Sequence, residues 1–225
     1  MFDLSAPPEG FVENPFPHYD RLLRETPVLR QPDGSVLICR HADLNAIYRD
    51  TTLYISDKKL AFAPKFGPGS PLFEHHTTSL VFNDPPLHTR VRRIMTSALT
   101  PKALARMEPG LIDTVDRLLE GLGPTPDLIE DYASCIPVQI IGNLLDVPME
   151  ERGPLRDWSL AILGALEPTL SEAELEAGHT AVRAFKAYLQ DLIARRRADP
   201  GDPETDVLTR LIAGDDGGQL TEIEL

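Results

Sequence analysis

The sequence is short of several features, and each shortage removes a class of protein. Positive charge is scarce: 22 Lys and Arg stand against 35 Asp and Glu, a formal net charge of −13. Such a surface repels phosphate backbones and anionic lipid, so no nucleic-acid or membrane partner is expected. Cysteine is scarce as well. Cys39 and Cys135 lie in apolar contexts ("VLICR", "ASCIPV") without a CxxC partner. They signal neither a zinc site nor a disulfide framework and are expected as buried, inert thiols. No apolar run reaches the roughly 20 residues needed to cross a bilayer. The opening "MFDLSAPPEGFVENPFPHYD" lacks the basic and apolar regions of a signal peptide. A soluble, cytoplasmic protein is expected.

What remains is a globular composition dominated by helical periodicity. "FPHYDRLLRET" places Tyr19, Leu22 and Leu23 on one face and stops before Pro27. "VLRQPDGSVLICR" gives two short apolar runs around Pro-Asp-Gly, a hairpin signal. "HADLNAIYRD" then reads as a helix with Leu44, Ile47 and Tyr48 inward. Residues 61–80 are rich in Pro and Gly, carry Phe62, Phe66 and Phe73, and read as a long functional loop. Helices are predicted over 85–98, 101–122, 133–145, 149–165, 171–198 and 204–213. The one near 171 opens with a capping box, Ser171 and Glu174. It buries Val182, Phe185, Leu189 and Leu192, and it closes on Arg195, Arg196 and Arg197, which read as a solvated helix end. The fold class is therefore mainly α with a small β-sheet.

The stretch "FNDPPLHTRVRR" (Phe82–Arg93) concentrates three arginines and a histidine in an acidic chain. Asp84 stands where an N-cap belongs, ahead of Pro85 and Pro86, and is expected to serve the Leu87 amide. Leu87, Val91, Ile94, Met95 and Ala98 define a buried face. At about 100° per residue, His88 and Arg92 emerge together from one edge of it. Arg90 emerges from the opposite edge, and Arg93 points away. Two readings fit: surface charges on an amphipathic helix, or a core-edge pair that clamps an anionic group of a ligand. Spacing alone leaves both open. Adjacent His75 and His76 point in different directions and lack a third ligand, so no metal site is read there.

"FNDPPLHTRVRRIMTSALTPK" resembles the C-helix segment of soluble bacterial cytochromes P450, with its D-P-P-x-H-T-R-x-R-R pattern. "IPVQIIGNLLDVPMEER" is similar to the family's "IPxxVIxxLLGVPxED", with Asp146 where glycine is usual. "PFPHYDRLLRETPV", "VLICRHADLNAIYRD" and "DVLTRLIAGDDGGQLTEIEL" resemble, in family order, the A-helix region, the B-helix region and the approach to the I-helix.

The resemblance implies a heme-thiolate monooxygenase that inserts one atom of O₂ into a small apolar substrate. Its electrons would come from a ferredoxin-type donor with an NAD(P)H-dependent reductase. It implies that His88 and Arg92 hold heme propionates and that Arg90 and Arg93 contribute to the redox-partner surface. Phe62, Phe66, Phe73 and Leu80 would line the substrate pocket. Neither Cys39 nor Cys135 sits in the family's glycine-rich thiolate segment, and E-x-x-R and A-G-x-x-T are absent. "LTEIEL" opens a helix with a capping box, Thr221 and Glu224, but only four residues follow the cap. The expectation is residues 1–225 as the N-terminal part of a single P450 domain, inactive alone. A helical interaction protein derived from such a half is the alternative.

Overall fold

The computed structural model describes residues 2–99, 101–203, 206–214, 218–222 and 224–225. They form two compact units, residues 1–56 with 167–170, and residues 57–166 with 171–225.

In the first unit, helix α1 (Phe16–Glu25) buries Leu22, while Tyr19 and Leu23 stay exposed. Strands β1 (Val28–Arg30) and β2 (Val36–Ile38) pair antiparallel with Leu29 opposite Leu37, the expected hairpin. Its turn closes on Gly34 at φ +87°, where a side chain would be strained. Helix α2 (His41–Arg49) half-buries Leu44 and Ile47, but Tyr48 is 83% exposed rather than inward. The stripe centres between residues 44 and 47, which turns position 48 about 70° off it.

The second unit corrects the expectation of a long loop. Residues 61–80 fall largely in helices α3 (Lys59–Phe66) and α4 (Pro71–Thr78), followed by a 3-10 turn at Leu80–Phe82. Proline starts α4 instead of breaking it: Ser70 is the N-cap, accepting from Phe73 N, and Pro71 occupies the first helical position. Gly67 and Gly69, both at positive φ, make the short break before it.

Helices α5 (Leu87–Ala98) and α6 (Pro101–Glu120) follow. A π-helical turn at Leu128–Ala133, capped by Asp127, precedes α7 (Cys135–Leu144). A 3-10 turn at Met149–Glu151 leads to α8 (Gly153–Gly164), and α9 (Glu172–Ala198) carries the expected capping box. Helix α10 is Val207–Ala213; Glu204 and Thr205, the predicted start, lie outside the described residues.

Trp158 of α8 packs on Phe185 and Tyr188 of α9. Val147, Leu192, Ile193 and Leu208 form a buried cluster, flanked by Leu189 and Leu225.

One further expectation is corrected: Cys39 and Cys135 are half-exposed, because each sits at an element end. The α9 helix end is solvated at Arg195 and Arg197, as expected, although Arg195 is bidentate to Glu151 and Arg197 bonds Glu222. Arg196 is drawn in, pairing with Asp206 and also reaching Asp146. Among the described residues no helix is long and apolar enough to cross a membrane.

Candidate functional site

Helix α5 organises the candidate site. Val91, Ile94 and Ala98 are buried, as the periodicity requires. Leu87 and Met95, read as core, are 38% and 39% exposed and line a cavity instead. The helix begins at Leu87 without a side-chain cap. The Asp84 carboxylate, expected at the Leu87 amide, accepts the Asp57 amide at 3.0 Å, and its own carbonyl accepts from His88 N.

On the outer edge of α5, His88 and Arg92 share a wide, shallow depression with Thr89, Arg93, Thr96 and Ser97. Among the described residues, neither the His88 imidazole nor the Arg92 guanidinium has a hydrogen-bond or ion-pair partner. In a chain with 13 more acidic than basic side chains, a guanidinium and an imidazole one helical turn apart, left without a carboxylate among the described residues, form a site suited to an external anion.

The four basic residues do not divide as the helical wheel suggested. Arg93 joins the depression, since it lies one position beyond Arg92 and its stem is long. Arg90 is turned to the chain's own last residues: it pairs with Glu224 and donates to the Gln219 carbonyl at 3.3 Å. That contact crosses 134 positions of sequence, and no local pattern announces it.

A second cavity, about 530 Å³, lies among α4, α5 and α9. Its apolar wall includes Leu80, Val81, Val91, Phe185 and Leu189, with His75 at one side. Of the four predicted pocket residues only Leu80 lines it. Phe62 and Phe66 instead enclose His76 together with Phe82, at ring-centroid distances of 5.6, 5.5 and 6.0 Å. Phe73 is half-buried and lies outside the cavity lining. Burial, reinforced by His75 and Lys65, pushes His76 down to about 4. Burial also lowers His75.

Two residues escaped the sequence reading. Arg152 is buried behind Gly142, with nothing in "EERGP" to mark it. His179 receives the Leu72 amide on Nδ1 across 107 positions, a contact no local signal carries.

No protein-family model matches the chain. The vitamin D(3) 25-hydroxylase of Pseudonocardia autotrophica is 33% identical over 225 residues, covering 96% of this chain and 52% of that protein. Cytochrome P450 107B1 of Saccharopolyspora erythraea is 32% identical over 238 residues, covering 99% and 55%. The crystal structure of CalO2 superposes with a TM-score of 0.79 at 28% identity, covering 95% of this chain and 53% of that one. The chain spans about half the length of the curated relatives it matches.

Proposed function

Because the chain belongs to the cytochrome P450 family and forms the N-terminal portion of its fold, we propose that α5 supplies part of a heme site within a monooxygenase. His88 and Arg92 would hold the propionates. The observation that carries this is the pair itself: an imidazole and a guanidinium one helical turn apart, in one depression, without a protein partner among the described residues.

The residues fit the group. Propionates are paired carboxylates, and a guanidinium fork with an adjacent ring N–H offers directed donors to them. When bound, the heme supplies dioxygen activation, which in this family depends on a cysteine thiolate. No segment of these 225 residues has the pattern expected for that thiolate. The work of this chain is to bind and orient, and to exclude water with the apolar wall of the larger cavity. A small apolar organic molecule suits a wall of Leu80, Val91 and Phe185. Arg93, beside the depression, and Arg90, which pairs with Glu224, are the candidate contacts for an acidic electron donor such as a ferredoxin.

The test is an absorbance titration of the 225-residue chain with hemin and, in parallel, with hemin dimethyl ester, whose propionates are blocked. Hemin should bind about tenfold tighter than the ester, the scale of one charge-assisted hydrogen bond at a partly exposed site. Equal affinities would remove His88 and Arg92 from the role. Under CO and reductant the hemin complex should show no thiolate-type Soret band, and such a band would refute the division of labour.

A further inference from the structure

Helix α4 is held at its N-terminus by one imidazole, His179, and along its inner face by another, its own His76. The donors of its first turn are fully accounted for. Pro71 has no N–H, Phe73 N is accepted by Ser70 Oγ at 3.3 Å, and Glu74 N by the Ser70 carbonyl. Leu72 N donates to His179 Nδ1 of α9 at 3.3 Å. A ring nitrogen accepts only when it carries no proton, so this bond fixes Nδ1 of His179 as an acceptor. Beside that bond Leu72 is wholly buried, and it approaches α9 so closely that a Cβ on Gly178 would lie 3.0 Å from Leu72 Cδ1.

One turn further on, His76 is 2% exposed inside the ring cage of Phe62, Phe66 and Phe82. Its Nε2 is buried and has no partner. Against burial, the Ile162 carbonyl of α8 favours its protonated form. A proton on Nε2 would place a charge and an unmatched donor among aromatic rings, which a buried site resists strongly.

We propose that α4 is a pH-gated flap over the larger cavity, docked while the caged His76 is neutral and released when it takes up a proton. Helix α4 contributes His75 and Thr78 to that cavity, so its release opens one wall. The ionisable neighbours of His76 act in the same direction. His75 on α4 and Lys65 on α3 both oppose a positive charge on His76, while the Ile162 carbonyl of α8 favours one. Near His179 stands Glu176 of the same helix, which is bonded to Arg183 at 2.7 Å. His76 binds its proton less readily when docked. Docking is therefore complete above its ordinary value of 6.5 and declines as pH falls from there toward about 4.

The experiment is hydrogen exchange by mass spectrometry on the 225-residue chain at pH 7.5 and 5.5, corrected for intrinsic exchange rates. The opening constant of the 71–78 segment should rise by at least about tenfold, one pH unit below the ordinary imidazole value for a fully coupled proton. The 186–196 segment of α9 should not follow. In the double variant His76→Phe and His179→Asn, a ring fills the cage and an amide oxygen replaces the Nδ1 acceptor, and the rise should vanish. Unchanged exchange of 71–78 in the wild-type chain overturns the proposal whether or not the variants fold. So does a parallel rise in 186–196, which would be global unfolding, or a rise that persists in the folded double variant. None of these readouts depends on heme, so the flap and the propionate site stand or fall separately.

Discussion

Gly142 faces Arg152 so closely that a Cβ built on it would lie 2.4 Å from Arg152 Nε. The guanidinium is not free to swing away. It is 7% exposed and makes five hydrogen bonds, to the Val147 carbonyl twice, the Gln139 carbonyl and side chain, and the Asn143 side chain. All these acceptors are neutral. The charge is thus solvated by protein dipoles that tie the turn after α7 to the start of α8.

Gly142→Ala should therefore destabilise, although helix propensity argues for a gain of about 1 kcal/mol at an interior helical glycine. Overpacking against a fixed side chain costs about 1–3 kcal/mol, so a melting midpoint lowered by several degrees is expected. Arg152→Met should relieve the clash while losing the bonds. In a double-mutant cycle the two changes should then be far from additive. A Gly142→Ala chain that melts higher than wild type would show that the guanidinium moves at little cost.

Arg196 and Asp206 form the least exposed ion pair among the described residues, with side chains 11% and 6% exposed. Asp206 has a second task, since its Oδ1 caps α10 by accepting from Leu208 N and Thr209 N. The two roles separate by substitution. Asp206→Asn keeps a good cap but leaves Arg196 with Asp146 as its carboxylate partner, and Asp206→Ala also loses the cap, a further cost of about 1 kcal/mol. Arg196→Met leaves a buried carboxylate unpaired and should cost about 3–5 kcal/mol. Urea melts of the three variants should rank Asn above Ala, and an Arg196→Met chain as stable as wild type would contradict the burial.

How legible was this in the sequence? The hairpin was, because Pro-Asp-Gly between two apolar runs has few other uses. Helices α5 and α9 were, because Val91, Ile94 and Ala98, and Val182 and Leu192, repeat at helical spacing. His88 and Arg92 were legible as a pair for the same reason, and the structure places them in one depression. Helices α3 and α4 are hidden in the sequence because proline and glycine ordinarily mark a loop. Pro71 starts its helix, and Pro64 sits within the short α3. Aromatic content pointed Phe62 and Phe66 at a ligand, whereas direction is set by packing, and they enclose His76. Contacts such as Arg90 with Glu224 depend on the path of the whole chain, so periodicity carries no trace of them.

Glu224 gives the chain an acid-sensitive tie of its own. Burial is the largest single influence on its carboxyl and raises it. The Thr221 amide and hydroxyl, with Arg90, outweigh that and hold the group below its ordinary 4.5. A depressed carboxylate contributes stability that is present above its unfolded value and lost as pH falls through the folded one. The stability difference between wild type and Glu224→Gln should thus be constant from neutral pH down to about 4.5 and shrink below it. This window starts lower than that of the histidine flap, so the two are separable. A difference that persists unchanged to pH 3 would mean the glutamate acts through shape and not charge.

His88 and Arg92 provide the opposite case, residues whose removal should leave the fold alone. Neither side chain has a hydrogen-bond or ion-pair partner among the described residues, and Arg92 is exposed. Replacing both by alanine should shift stability by no more than about 0.5 kcal/mol, the usual range for a surface change. The same double variant should lose its preference for hemin over the blocked ester. Arg92→Lys should keep part of it, since the charge remains while the bidentate fork is gone. Thermal melts and hemin titrations on the same samples make the comparison. A large drop in melting midpoint would assign the pair to the fold, and an undiminished preference for hemin would assign the propionate contacts elsewhere.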